Sequence, residues 1–326
     1  MKKILTLTVC MILAATMLLA GGCAKTEKTL KFGSAVYVSA PATTDATADK
    51  AGTGKIDITI AAVTVDADGK IVACALDTAS NTVSFDATGK AIANTEFKTK
   101  YELGNDYNMV AYGGATKEWF EQADAFETVV AGKTLDEVKA LMTAEAKGTD
   151  EVINAGCTIT ISDFVNAIEK AYNAAADSSV TAKDTIKVTA ATEQTCTDAT
   201  ADKDGSNKIS TTVFAAAVDA EGKVVAAASD CVEVSFSFTA KGVSTLDTSK
   251  AVLSKMEKGN DYGMVAYGGA TKEWFEQAAA FDANCIGKTA AEIPALMAAD
   301  GKGNADVQAA GCTIYVSGFV KAASKI

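Results

Sequence analysis

The chain contains two copies of one long segment, and this duplication constrains the fold more than any other feature. Residues Gly104–Phe126 and Gly259–Phe281 have the same sequence except at two positions. The match continues without a gap to a shared Gly-Cys-Thr-Ile motif at 156–159 and 311–314. A constant register over this distance indicates two copies of one folded unit.

The first half of each copy has the pattern of antiparallel strands. Residues 55–66 alternate between polar and apolar side chains, and a second β-prone run at 70–76 follows the turn at Asp68-Gly69. Two β-prone runs around such a turn indicate a β-hairpin. The sequence Val-Ser-Phe at 83–85 suggests a third strand, and the same features return in the second copy.

The second half of each copy has the pattern of helices. Apolar residues recur at helical spacing from Trp119 to Phe126, and Thr116 stands where a helix N-cap is expected. Thr134 and Glu137 have the spacing of a capping box for the next helix. We therefore predict an α+β fold, in two tandem copies of a small domain with an antiparallel sheet and about three helices.

The copies set the expected domain boundaries. We predict a first repeat domain at 30–176, a linker at 177–182 and a second repeat domain at 183–326. The motif Thr-Asp-Ala-Thr-Ala-Asp-Lys at 44–50 returns at 197–203, although the surrounding sequence has diverged much further.

The N-terminus has the pattern of a bacterial lipoprotein. A basic start, an apolar run and small residues lead to Cys23, which resembles a lipobox. We expect a signal peptide at 1–22, lipidation of Cys23 and a tether at 23–29. The protein would then lie on the extracytoplasmic face of the cell membrane, held there by its lipid.

Composition excludes several kinds of chemistry. The chain has no His and no Arg, so it lacks histidine-based triads, histidine metal ligands and arginine clamps. Its net charge is −11, which argues against nucleic acid as a partner. No Cys-x-x-Cys motif or EF-hand pattern is present, so we predict no metal site, and no catalytic residues are assigned.

A turn of the Asp-Gly-Lys type, an aromatic helix and a Gly-Lys-Thr break precede Gly156-Cys157-Thr158 in each copy. This order resembles the FMN-binding domain family of extracytosolic bacterial proteins. That family includes electron carriers whose FMN phosphate is esterified to a threonine by a flavin transferase. The resemblance implies covalent FMN as cofactor and the following cofactor-binding residues: Thr158 and Gly156 in the first copy, Thr313 and Gly311 in the second.

A second threonine in each copy is an alternative acceptor. Gly-Ala-Thr, as in the family's acceptor motif, ends at Thr116 and at Thr271. The competing interpretation is that both threonines are helix N-caps, which is a frequent role for this residue. Nearby aromatic residues, among them Tyr107, Tyr112 and Trp119, could stack on a planar ligand or belong to the core.

Two functions from different classes remain open. The first is a lipid-anchored protein with two FMN-binding-like domains that carries electrons, with a redox partner or a flavin transferase as its protein partner. The second is a non-catalytic surface lipoprotein with two ligand-binding or adhesion modules. In either case the chain is more an electron-transfer or binding protein than a turnover enzyme.

Overall fold

A computed structural model describes residues 28–326 of the chain. The expected signal peptide at 1–22, the expected lipidation site Cys23 and the tether up to residue 27 lie outside the described residues. Within 28–326 no helix combines the length and the apolar character that a membrane span needs.

Both copies fold as strands followed by helices, as the sequence predicts. The elements of the first copy are β1 (Lys31–Val38), β2 (Ala42–Thr44), β3 (Gly52–Val65), β4 (Ile71–Phe85), β5 (Ala91–Ile92), α1 (Lys100–Leu103), a 3-10 helix (Gly104–Tyr107), α2 (Trp119–Val130), α3 (Leu135–Lys139), α4 (Asp150–Ala155) and α5 (Ser162–Asn173). The remaining elements are β6 (Ala176–Asp177), β7 (Thr185–Thr197), β8 (Gly205–Val218), β9 (Val224–Phe238), α6 (Lys255–Lys258), a 3-10 helix (Gly259–Tyr262), α7 (Trp274–Cys285), a 3-10 helix (Ile293–Leu296), α8 (Ala305–Ala309) and α9 (Ser317–Ala323).

The two sheets are antiparallel, which confirms the predicted α+β class. The first sheet has the order β5-β4-β3-β1-β6, with β2 beside β3, and the second has the order β7-β8-β9. The predicted hairpin turn forms between β3 and β4, where Asp66 Oδ1 accepts hydrogen bonds from the backbone N–H groups of Asp68 and Lys70. Gly69 has a φ of 77°, a left-handed conformation that favours glycine.

The strand prediction was wrong in one respect. Residues 83–85 do not form a separate third strand, because they are the end of the long strand β4. The third strand of each sheet is instead the first of its copy, β1 or β7, which pairs with the central strand β3 or β8.

The helices cover one face of each sheet. In the first copy α2 and α5 pack on the sheet around Phe126, Phe164 and Ile168, which are buried. In the second copy α7 and α9 form the equivalent core around Phe281 and Phe319. Each copy therefore has an apolar core of its own between its sheet and its helices.

The other faces of the two sheets pack against each other. Val36, Ile58 and Ile60 of the first sheet share a buried cluster with Val213 and Val232 of the second. The molecule is thus built in four layers, helices–sheet–sheet–helices. The middle core belongs to both copies, so the division into two domains at 30–176 and 183–326 stays a prediction.

The contacts between the copies are reciprocal. The backbone N–H of Ala46 donates to the carbonyl of Gly242 at 2.8 Å, and the N–H of Ala199 donates to the carbonyl of Gly89 at 2.7 Å. These alanines occupy the same position in the two Thr-Asp-Ala-Thr-Ala-Asp-Lys motifs. The motif therefore has a structural reason to persist in both copies.

The same motifs supply a second reciprocal pair. The carboxylate of Asp45 accepts a hydrogen bond from the N–H of Ser244, and that of Asp198 accepts one from the N–H of Ala91, both at 2.8 Å. Each aspartate thus binds the backbone of the other copy just after the last long strand of that copy, β9 or β4.

The predicted linker is a packed segment. β6 pairs with β1 through Lys31 and Asp177, the first residue of the predicted linker, so the segment extends the first sheet. Val180 is completely buried, in one cluster with Phe32 and with Ala215 and Ala226 of the second sheet. The connection between the copies therefore contributes to the core that the copies share.

Candidate functional site

The predicted acceptor threonines lie on exposed turns before the last helix of each copy. The N–H and the hydroxyl of Thr158 both donate to Oε1 of Gln122, at 2.8 and 3.1 Å. Thr313 makes the same two hydrogen bonds to Gln277, at 2.9 and 3.1 Å. Each side chain is exposed, so its oxygen remains reachable from solvent.

The predicted glycines shape these turns. Gly156 and Gly311 have φ angles of 109° and 104°, which disfavour other residue types. Nζ of Lys117 donates to the carbonyl of Ala155 at 3.4 Å, and a Cβ added to Gly156 would lie only 2.2 Å from that Nζ. The glycine therefore allows an ammonium group to sit directly beside the Gly-Cys-Thr turn, and Lys272 lies beside Gly311 in the same way.

The prediction that Thr116 caps the aromatic helix was wrong. Thr116 and its counterpart Thr271 are exposed residues in a bend, and α2 begins only at Trp119 with Glu118 as its N-cap. The N–H of Glu118 donates to Oε2 of Glu121 at 2.8 Å. A carboxylate takes the capping position here because it also binds the preceding loop.

Each copy contains a cleft between its central strands and its helices. In the first copy the cleft has a volume of about 250 Å³. Nζ of Lys100 lies 5.3 Å from the ring centre of Tyr107 and 5.5 Å from that of Trp119, within the range of cation–π contacts. The cleft is lined by Asp57, Thr59, Thr78, Lys100, Tyr107, Met109, Trp119, Ile159, Thr160, Asp163 and Phe164.

The second copy has the equivalent cleft, with a volume of about 350 Å³. Nζ of Lys255 lies 4.9 Å from the ring of Tyr262 and 5.5 Å from that of Trp274. Met264, Ile314 and Phe319 correspond to residues that line the first cleft. The fold therefore builds the same arrangement of lysine, tyrosine and tryptophan twice.

The two clefts differ in the charge beside the lysine. In the second copy Nζ of Lys255 forms an ion pair with Glu233 at 3.2 Å. Burial opposes ionisation of Glu233, but Lys255 and Lys208 hold its pKa below the usual value. The first copy has Ser80 at this position, and within residues 28–326 Lys100 has no ion-pair partner. Its ammonium group is therefore unpaired within this part of the chain, and the carboxylates of Asp57 and Asp163 line the same cleft.

An exposed loop forms the rim of each cleft. Oxygens of Glu118 accept hydrogen bonds from the N–H groups of Met109 and Val110, at 2.8 and 3.1 Å. The loop ends where the N–H of Ala115 bonds to the carbonyl of Met109 at 3.1 Å. At its tip Tyr112 is 88% exposed, and the equivalent Tyr267 is 92% exposed. Packing does not explain why both copies keep this tyrosine.

The structure separates the predicted aromatic residues into different roles. Tyr107 and Trp119 meet at the cleft, whereas Tyr112 stands at the tip of the rim. Phe120 lies against Tyr101, with ring centres 5.9 Å apart. Sequence reasoning missed Lys100, although Lys-x-Glu precedes the identical segment in both copies and could have indicated it.

The cysteines beside the predicted acceptor threonines are poor nucleophiles. Burial raises the pKa of the Cys157 thiol and of the Cys312 thiol to about 11, so both are protonated at neutral pH. The six cysteines within residues 28–326 are free thiols. The same residues contain no group of three or more His, Cys, Asp or Glu placed to hold a metal ion.

Comparison with protein-family models, with curated proteins and with solved structures finds no match.

Proposed function

We propose that the chain is a lipid-anchored, extracytosolic binding protein that holds one ligand in the cleft of each copy. The observation that supports this most is the repetition of the cleft. Lysine, tyrosine, methionine and tryptophan recur at its wall in both copies, and an exposed rim loop of nearly identical sequence lies beside each. Exposed residues that persist twice indicate binding more than packing.

FMN is the ligand that the resemblance to FMN-binding domains favours. Thr158 offers an exposed hydroxyl for a phosphoester, and the next residue, Ile159, lines the cleft. The ammonium of Lys117 lies beside the same turn and could pair with the phosphate. These features fit the phosphate end of FMN.

The cleft itself limits how much of a flavin ring it could enclose. Its volume in the first copy, about 250 Å³, lies below the roughly 300 Å³ at which typical small-molecule sites begin. A ring attached through Thr158 would therefore remain partly exposed to solvent. Bound FMN would supply electron transfer, and the chain's residues would hold the phosphate and cover part of the ring. This arrangement suits an electron carrier that works with a redox partner.

Intact-mass analysis tests the flavin proposal. The protein is produced together with a flavin transferase, and we expect one or two FMN additions. Thr158→Ala and Thr313→Ala should each remove one addition. Thr116→Ala and Thr271→Ala are matched controls, because they remove an exposed threonine hydroxyl in the same copies. Loss of the additions only in these controls would instead place the acceptor in the Gly-Ala-Thr bend.

Absence of any flavin would leave the second function, a binding module for another ligand. The specific observation in its favour is Lys100, whose ammonium lies between two aromatic rings without an ion-pair partner among the described residues. This ammonium could pair with the carboxylate of a small aromatic ligand, on the side of the cleft away from Asp57 and Asp163. Titration with indole-3-acetate should then show binding that Lys100→Met weakens and Lys255→Met leaves unchanged. Equal loss in both variants would contradict this assignment of the first cleft.

A further inference from the structure

A third cavity lies between the two copies, away from both clefts. It has a volume of about 400 Å³, within the range of roughly 300–1,000 Å³ that is usual for small-molecule sites. β4 of the first copy and β7 of the second supply apolar walls, which include Ala75, Leu76, Ile186 and Val188. Glu127 of α2 also lines the cavity.

Among residues 28–326, the corresponding corner on the other side of the reciprocal interface is filled by an apolar side chain. The corresponding corner, where β1 faces β9, contains Val180 from the connecting segment. Val180 is completely buried there, in one cluster with Phe32 and Ala226. Within residues 28–326 no segment fills the corner between β4 and β7 in the way that Val180 fills the other corner.

One carboxylate oxygen of Glu127 has no hydrogen-bond partner among residues 28–326. Oε1 of Glu127 accepts a hydrogen bond from the N–H of Leu76 at 2.7 Å, and within residues 28–326 Oε2 has no hydrogen-bond partner. The equivalent residue of the second copy, Asp282, uses both oxygens, because the N–H and the hydroxyl of Ser229 donate to one each. The first copy has Leu76 in place of that serine and so offers no hydroxyl.

The charges around Glu127 are mostly negative or already paired. Burial raises the pKa of Glu127 to about 8, opposed by the hydrogen bond from the N–H of Leu76 and assisted by the nearby carboxylates of Asp124 and Asp77. Lys325 is paired with Glu102 at 2.7 Å. The other ionisable groups at the cavity are Tyr101, which donates its hydroxyl hydrogen to Asp124, and the exposed Lys187. An incoming cation at Glu127 would offset the cost of a buried carboxylate.

We propose that this cavity binds a small apolar molecule with a primary ammonium group, and that the ammonium pairs with Glu127. The apolar body would lie against Ala75, Ile186 and Val188. At neutral pH the ligand keeps its proton, while Glu127 ionises and releases its own proton to solvent. This site is independent of the proposed function of the two clefts, so either proposal can fail without the other.

Isothermal titration with benzylamine, at pH 7 in two buffers of different ionisation enthalpy, tests the proposal. We expect measurable binding with release of about one proton per ligand, since the ammonium lowers the pKa of Glu127. Benzyl alcohol, which has nearly the same shape without the charge, should bind at least about tenfold more weakly, because a charge-assisted hydrogen bond is lost.

Three variants complete the test. Glu127→Gln should weaken benzylamine binding about tenfold or more and abolish the proton release. Glu145→Gln is the matched control, since it removes an exposed carboxylate that does not line the cavity. Thr185→Trp, at an exposed position of the cavity wall, should block binding without a change in the core. Equal affinity for benzylamine and benzyl alcohol, no proton release, or unchanged binding in Glu127→Gln would each overturn the proposal.

Discussion

Truncation of the stacked phenylalanines between the sheets should destabilise the whole molecule. The rings of Phe85 and Phe238, one from each copy, lie parallel with centres 4.4 Å apart, and both are completely buried. A Cβ added to Gly52 would lie 2.4 Å from the Phe85 ring, and one added to Gly205 would lie 2.6 Å from the Phe238 ring. Backbone packed this closely cannot easily collapse into the space that a lost ring would leave.

The expected magnitude follows from this packing. Phe→Ala in a core costs about 3–5 kcal/mol, and the cost rises where the cavity persists. We therefore expect Phe85→Ala and Phe238→Ala each to lower the free energy of unfolding by an amount in that range. The direct contact of the two rings should appear as a coupling of about 0.5–1.5 kcal/mol in a double-mutant cycle.

Urea unfolding followed by circular dichroism measures both quantities. Phe126→Ala is the control, because this ring is equally buried but belongs to the separate core under the helices of the first copy. It should cost a similar free energy and show no coupling to Phe238→Ala. A cost below about 1 kcal/mol for Phe85→Ala, or no coupling to Phe238→Ala, would refute the face-to-face packing of the sheets.

Three further predictions concern pH, anchoring and the division of the chain. Burial raises the pKa of Asp282 from 3.8 to about 7, so between these values the folded state holds a proton that the unfolded state lacks, and stability falls as the pH rises. Between pH 4 and pH 7 the free energy of unfolding, measured with urea, should fall less in Asp282→Asn than in the unchanged protein, by up to about 4 kcal/mol. An equal fall in both proteins would contradict the raised pKa of Asp282. Cys23→Ala should release the protein from the membrane fraction, whereas Cys10→Ala should leave it anchored; retention of both variants would exclude lipidation at Cys23. Residues 30–176 alone would expose the apolar face of their sheet, so they should self-associate in sedimentation experiments, and a folded monomer would show that the copies are independent domains.

Much of the secondary structure could be predicted from local patterns. The Asp-Gly turn after β3 and the capping box of Thr134 and Glu137 form as their sequences indicate, because both depend on residues close together in the chain. The run Ile58–Val65 is buried at every position, which shows that both faces of β3 are covered. The alternating sequence of residues 55–66 predicts a strand with one covered face, so it does not reveal the second sheet, which the other copy supplies.

The candidate site was predictable only in part. Thr158 and Thr313 lie on exposed turns beside their clefts. The N-cap of α2 is Glu118 and not the predicted Thr116. A local rule misses this because Glu118 also binds backbone groups of a loop eight and nine residues earlier. Lys100 was missed because its aromatic neighbours come from two other elements of the copy.

The reciprocal ion pairs between the copies have a consequence for how the molecule behaves on dilution. Lys170 and Lys325 are equivalent residues of the two copies, and so are Glu102 and Glu257. Lys170 pairs with Glu257 and Lys325 pairs with Glu102, so the lysine of each copy binds the glutamate of the other, as in a two-fold symmetric dimer. Here the connecting segment joins the two halves and keeps their effective concentration high. The midpoint of unfolding should therefore not depend on protein concentration. The two halves would stay paired even where whole protein molecules are widely spaced on a surface.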